Sequence, residues 1–260
     1  MKKLFFTDLD GTALGGGFPV YARLPNRFAA FLDDLAEQGV GWCFNTSWDI
    51  KGQWELICNS PVESRPAYLV AEFGRKIARV SGDKLELIQP YCDLMDERVH
   101  RYSDTELAPL LNKLNQYFIP DVIHSYGHLF SYTAAKAKTA LTMREFADSL
   151  QNPAVNAWAV KNKLSVLPAF LGKGVPIREI MRLERLTPDD IWTAGDQLPD
   201  LDMMAPDVSK HFVCPANAPD QVKEEVLKRG GRVSTLEFAE GVMDGMQHLM
   251  GAAELCQSVS

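Results

Sequence analysis

An apolar run that stops at two carboxylates constrains this chain more than any other feature. Leu4, Phe5 and Phe6 lead into Thr7-Asp8-Leu9-Asp10-Gly11-Thr12. A short apolar stretch broken at once by acids reads as a buried strand that ends at a polar site. Aspartates at i and i+2 leave a strand end from the same side. Two such anions are costly to hold together unpartnered. A divalent cation offsets that cost, and hard carboxylate oxygens suit Mg²⁺. The first carboxylate can then attack an electrophilic phosphorus while the second moves a proton, as covalent aspartyl-phosphate chemistry requires. A calcium-like or purely structural acidic turn is the competing reading.

The rest of the chain alternates strands with helices. Ala13 to Tyr21 reads as a loop, with Gly15, Gly16 and Gly17 in a row; it is either a segment over an active site or a plain connection. Phe28, Phe31, Leu32 and Leu35 recur at helical spacing before Gly39, and Val40 to Phe44 follows as a strand ending at Asn45-Thr46-Ser47. Residues 49–58 read as helix, Pro66 to Ala71 as strand, and Lys76–Val80 with Leu85–Ile88 as a hairpin. From Val175 the rhythm returns: helix, strand 190–194, strand 211–214, helix 220–229, a short strand near Val233 and a closing helix from Glu237. This order predicts an α/β core with a doubly wound, parallel, Rossmann-like sheet.

Between Gln89 and Lys163 the rhythm changes. Leu107, Leu110, Leu111 and Leu114 predict a helix over 104–118 capped by Ser103. Strand-like runs at 122–133 (broken at Gly127) and 156–166 flank a helix over 142–150, where Thr142 and Glu145 have capping-box spacing. The pattern predicts an inserted α+β domain over 89–163, with the core formed by 1–88 and 164–260.

Composition narrows the classes. The 260 residues are 46% hydrophobic, enough for a sizeable core and an insert. A formal net charge of -7 argues against a nucleic-acid-binding surface but not against an anionic substrate at a locally cationic site. The five cysteines form no CxxC pair, so they are expected to be reduced thiols in a cytoplasmic protein. Acids interrupt the apolar N-terminus too early for an export signal, and no run spans a membrane. Oligomeric state is not readable.

Phosphoryl transfer also needs groups that hold the phosphoryl oxygens and offset developing charge. Thr46, at a strand-to-helix turn, suits the first task, with Ser47 the alternative hydroxyl; capping the next helix is the structural reading of either. Lys173, in Leu171-Gly172-Lys173-Gly174, suits the second task, against a solvated lysine. Ala194-Gly195-Asp196-Gln197-Leu198-Pro199-Asp200 follows a strand and brings two further acids, with Asp202 out of register. Asn217, in Pro215-Ala216-Asn217-Ala218, is either a substrate contact or a turn residue. His124 and His128 are four apart but lie on strand or loop, which argues against zinc; one of them facing substrate is the better functional reading. Lys161, Asn162 and Lys163 read first as solvated surface.

Asp8-Leu9-Asp10-Gly11-Thr12, Thr46 or Ser47, Lys173 and Gly195-Asp196…Asp200 resemble, in order, the four motifs of the haloacid dehalogenase-like (HAD) phosphatases. The insert lies where the C2-type cap of that superfamily is found, and the flanking segments resemble the sucrose-phosphate and mannosyl-phosphoglycerate phosphatase branches. Pro199 departs from the Asn common before the second aspartate of the fourth motif. The resemblance implies a Mg²⁺-dependent phosphatase for a sugar phosphate or related small metabolite. It implies Asp8 as nucleophile and Asp10 as acid and base. It further implies Mg²⁺ held by Asp8, the Asp10 carbonyl and Asp196, with Asp200 acting directly or through Lys173. Thr46 and Lys173 would bind the phosphoryl oxygens, and Asn217 the phosphate or flap. A sugar phosphomutase and a catalytically idle protein of the same fold are the alternatives.

Overall fold

The structure, a computed structural model, describes residues 2–15, 22–126 and 128–257. The expectations for the triple-glycine loop and for Gly127 therefore lie largely outside the described residues. The chain divides into two compact units, one of residues 1–88 and 173–260 and one of residues 89–172.

The first unit is built on an eight-stranded sheet. Its strands are β1 (Lys3–Thr7), β2 (Val40–Asn45), β3 (Tyr68–Ala71), β4 (Lys76–Ser81), β5 (Lys84–Leu87), β10 (Ile191–Ala194), β11 (His211–Cys214) and β12 (Arg232–Val233), numbered in chain order with the second unit's four between. Their spatial order is β12-β11-β10-β1-β2-β3-β4-β5. Pairing is parallel from β12 to β3, and β4 and β5 add an antiparallel hairpin at one edge. The strands are buried on both faces. Phe5, Trp42, Phe44, Leu69, Trp192 and Val213 pack in one cluster with helix α1 (Asn26–Glu37), helix α2 (Ile50–Cys58) and the long C-terminal helix starting at Phe238. The intervening Leu4, Phe6, Cys43 and Val70 are equally buried. Each such large apolar side chain contributes about 1.5–3 kcal/mol on burial. Double-sided burial is what a parallel sheet under helices demands of its sequence.

The chain winds outward from β1 in both directions. Residues after β1 build β2 and β3 on one side, and β10 to β12 build the other. The sheet therefore reverses at β1, with Thr7 level with Ala194 on one neighbour and Phe44 on the other. Ligands of open α/β sheets sit beyond the carboxyl ends of strands at such a reversal.

In the second unit, β6 (Phe118–Ser125), β7 (Phe130–Ala137), β8 (Val155–Val160) and β9 (Lys163–Pro168) form an antiparallel sheet in the order β6-β7-β9-β8. Three helices complete the unit: α3 (Gln89–Tyr102), α4 (Ala108–Tyr117) and α5 (Met143–Asp148). Tyr102, Leu110, Leu114, Phe118, Tyr132, Phe146, Leu164 and Val166 form its own core.

Three sequence expectations change here. The helix expected over 104–118 is the second half of a longer one that starts at Gln89 and passes through a π turn, Ser103–Leu107. Ser103 does not cap it; its hydroxyl donates to the Val99 carbonyl one turn back. The strand expected over 156–166 is the hairpin β8–β9, turning at Lys161 (φ 54°) and Asn162. Asn162 ties that turn to the Ala134 carbonyl at 2.7 Å, so the small basic cluster is a hairpin tip. The expected domain boundary at 163/164 therefore falls within β9, and residues 164–172 go with the second unit. The Thr142–Glu145 capping box does form.

Candidate active site

The site is built where β1, β2 and β10 end side by side. Asp8 follows β1, Thr46 follows β2 and Asp196 comes two residues after β10. Lys173 directly precedes helix α6 (Gly174–Glu184), and the Asn45 side-chain amide donates to its carbonyl at 2.7 Å. That bond anchors the lysine to the end of β2.

The buried charged side chains among the unit's described residues all meet here: Asp8, Lys173, Asp196 and Asp200. The Lys173 ammonium lies 2.8 Å from Asp8 Oδ1 and also donates to Asp200 Oδ1. Asp200 is fully engaged, since its Oδ2 accepts from the backbone N–H groups of Asp196 and Gln197 at 2.9 and 2.8 Å. Asp196 Oδ1 accepts from the Thr12 hydroxyl at 2.6 Å. Two glycines permit this closeness. A Cβ on Gly11, which has φ +83°, would stand 2.4 Å from Asp196 Oδ2, and one on Gly195 would stand 2.3 Å from the Asp200 Cβ.

Charge shapes the site's proton affinity. Burial pushes the Asp8 carboxyl up to about 7, against the pull of Lys173 and with the Asp200 carboxylate adding to the rise. Burial, then Asp200, pushes Asp196 up to about 6. Burial works against the charge on Lys173, but Asp200 and Asp8 outweigh it and hold the ammonium above its ordinary range. One lysine against three acids leaves an anionic surplus out of water, which a divalent cation offsets. Asp8, Asp196 and Asp200 each present an oxygen within 4.8 Å of the others, an all-oxygen set that fits Mg²⁺. Because both Asp200 oxygens already have donors, Asp8 and Asp196 are the better placed ligands.

Asp10 stands apart from that group. Its Oδ2 accepts from the Trp48 indole N–H at 2.8 Å, and its Oδ1 is buried without a partner. Thr46 is buried, and its backbone N–H and carbonyl are bonded to Val70 and Phe73; Ser47, beside it, is half-buried. The expected capping role belongs to neither, because Asp49 caps α2 through a 2.6 Å bond from Gly52. Asn217 spends its amide on backbone: Nδ2 donates to the Gly11 carbonyl and Oδ1 accepts from Phe238, both at 2.7 Å. It fastens the turn that carries Asp10. Asp202, peripheral by sequence register, accepts from the Gly174 N–H at 2.7 Å and so holds the start of α6 behind Lys173. His124 stacks on Tyr126 with ring centroids 5.9 Å apart, far in sequence from the acids.

The sequence pattern does not single out Thr12, Asn45 or Trp48. Thr12 and Asn45 lie within or beside the motifs, and that neighbourhood is the only signal they give. Trp48 gives none, since a tryptophan in an apolar chain reads as core.

A family model described as sucrose-6F-phosphate phosphohydrolase matches residues 1–250. The chain belongs to that family. That is a family of phosphoric monoester hydrolases, and the match is to the sucrose-phosphate branch named above. The sucrose-phosphatase of Synechocystis sp. PCC6803, solved with sucrose and phosphate, superposes with a TM-score of 0.68 at 16% identity, over 96% of this chain and 98% of that one. A HAD-superfamily phosphatase from Bacteroides thetaiotaomicron superposes with a TM-score of 0.62 at 15% identity, over 96% and 95% of the two chains. A curated relative, the glucosylglycerol-phosphate synthase of Pseudomonas anguilliseptica, is 25% identical over 204 residues, 78% of this chain. The aligned part is 25% of that relative's own length. No helix among the described residues is long and apolar enough to cross a membrane.

Proposed function

We propose that the chain hydrolyses the phosphate monoester of a sugar or sugar-like polyol through an aspartyl-phosphate on Asp8, with Mg²⁺ as cofactor. The carrying observation is the Lys173 ammonium shared between buried Asp8 and buried Asp200 beside Asp196 at the sheet's reversal. An Asp8 oxygen attacks phosphorus in line, and the bond from phosphorus to the substrate oxygen breaks. Asp10 gives that oxygen its proton. Asp10 then takes a proton from water as the water oxygen bonds to phosphorus, and the phosphorus–Asp8 bond breaks. Lys173 and the Thr46 hydroxyl hold phosphoryl oxygens through the charge redistribution. Asp8 and Asp196 would hold the Mg²⁺, which when bound supplies charge to the phosphoryl oxygens.

The family's description points to a sugar phosphate, and the curated relative's name adds glucosylglycerol phosphate as a candidate. The test is phosphate release from sucrose-6F-phosphate, glucosylglycerol phosphate, hexose phosphates, glycerates and nucleotides, with Mg²⁺ and with EDTA. Mg²⁺-dependent release concentrated on a sugar ester is expected. No release across the panel from folded, metal-supplied protein would contradict the reading, and conversion between isomeric sugar phosphates without release would replace it with a mutase.

A further inference from the structure

We infer that the second unit carries a binding site of its own for a small hydroxylated anion, a polyol that bears one carboxylate or phosphate. Helix α3 and the π turn after it form one wall of a cavity of about 490 Å³. The start of β8 and the end of β9 form the other, where the Ala169 N–H donates to the Ala154 carbonyl at 2.8 Å and holds the two segments together. Every lining residue lies between Arg98 and Phe170, inside the second unit. The volume falls within the range of small-molecule sites, roughly 300–1,000 Å³.

Cations come first along the helical wall. The Arg98 guanidinium lies 4.3 Å over the Phe170 ring and makes no hydrogen bond or ion pair among the described residues. Stacking uses the guanidinium's face and leaves the N–H groups at its edge to meet an oxyanion. It also fixes the side chain in advance, so less freedom is lost on binding. Phe170 is braced edge-on by the buried Tyr102, with centroids 6.2 Å apart. Arg101 gives one nitrogen to Glu97 at 2.8 Å and keeps its other donors. In a chain of 34 acids and 27 bases, an arginine held in place with no acid beside it is set up for an anion from outside. Acceptors follow about two turns after Arg98, within the π turn. Glu106 Oε2 accepts from the Asn152 amide at 2.7 Å, which leaves Oε1 open. The Thr105 hydroxyl donates to the Arg101 carbonyl at 3.2 Å, so its oxygen is left to accept. The ligand must bring donors to these two, and hydroxyl groups do so without adding a positive charge beside the arginines.

Gluconate and its neutral counterpart glucitol test this on the full chain, because neither has a phosphoryl group for the catalytic acids to act on. Calorimetry should show saturable binding of gluconate, with glucitol bound roughly tenfold more weakly or less. Arg98→Ala should weaken gluconate by roughly the same factor. Glu106→Ala should weaken gluconate but not acetate, which has no hydroxyl groups. The Arg98 Nε–H resonance should move with gluconate, and with glucose 6-phosphate added to Asp8→Asn, which would place carboxylate and phosphate alike in this cavity. No saturable binding of gluconate, equal affinity for glucitol, an affinity that either variant leaves unaltered, or tighter binding of alanine than of gluconate would each overturn the inference. All of these leave the phosphatase reading untouched. Should a variant fail to fold, the resonance decides on the unmodified chain. A saturable shift with gluconate and none with glucitol supports the site, and no shift with gluconate overturns it.

Discussion

The two units spend their buried polar groups differently. In the first, every buried charged side chain among the described residues sits at one place, the carboxyl ends of β1 and its neighbours. In the second, the buried polar residues among those described are His128, Ser131 and Ser165, and none carries a fixed charge. Its sheet has a packed middle, β7 and β9, and a largely exposed outer strand, β6. Burying charge is costly unless a ligand or a partner offsets it. The first unit therefore carries a stability cost that only its chemistry explains, while the second is organised for packing.

The sharpest way to break that contrast is Asp8→Asn. Turnover should fall by roughly 10⁴-fold or more if Asp8 is the nucleophile. Thermal stability of the metal-free protein should hold or rise, because a neutral amide relieves a carboxyl that burial has pushed up to about 7. Near-normal steady-state turnover would refute the nucleophile assignment. A large fall in melting temperature would show that Asp8 serves the fold.

Lys173→Met should act in the opposite sense on stability. It strands Asp8 and Asp200 without their cation, at a cost of about 3–5 kcal/mol. The pH dependence has a defined sign. Asp8 and Asp196 have raised values in the fold, about 7 and about 6, against 3.8 ordinarily. Their contribution to stability is present below the ordinary value and is lost as pH rises through the folded ones. The variant's penalty in EDTA, read from urea midpoints, should therefore be large at pH 8 and smaller near pH 5. A pH-independent penalty would contradict the electrostatic account.

Metal linkage is a smaller effect on the same groups. Protons compete with Mg²⁺ for Asp8 and Asp196, so the melting-temperature gain from added Mg²⁺ should be greater at pH 8 than at pH 5. An equal gain at both would place the ion elsewhere. The smallest expected effect lies in the other unit. Thr142→Ala removes the capping box of α5 and should cost about 1 kcal/mol, with hydrolysis of 4-nitrophenyl phosphate unaltered. A loss of turnover there would show that the second unit contributes to the chemical step.

The contrast also explains what can be read from the sequence. Buried parallel strands and the acids at their ends leave local signatures, so β1, β2 and β10 with Asp8, Asp10, Asp196 and Lys173 are all legible in the order of residues alone. Helix α3 is not, because its buried stripe is Tyr91, Cys92, Met95, Val99 and Tyr102 within an otherwise polar segment. The β8–β9 turn is hidden because Lys161-Asn162 is not a glycine turn, yet Lys161 takes a positive φ. Within the site, what escapes a sequence reading is pairing between distant residues. Thr12 with Asp196 spans 184 residues and Asn217 with Gly11 spans 206. The backbone bonds of Asn217 are hidden in the sequence because an amide's donors and acceptor are the same whether they meet a phosphate or a backbone.

The central claim is that Asp8 becomes phosphorylated during turnover. Acid quenching of the enzyme mid-reaction, followed by mass spectrometry of the peptide containing Asp8, tests it directly. One phosphoryl group on Asp8, absent from Asp8→Asn and from enzyme without substrate, is the predicted result. Phosphoryl on another residue, or turnover with the Asp8 peptide unmodified in both the wild type and Asp10→Asn, would contradict it.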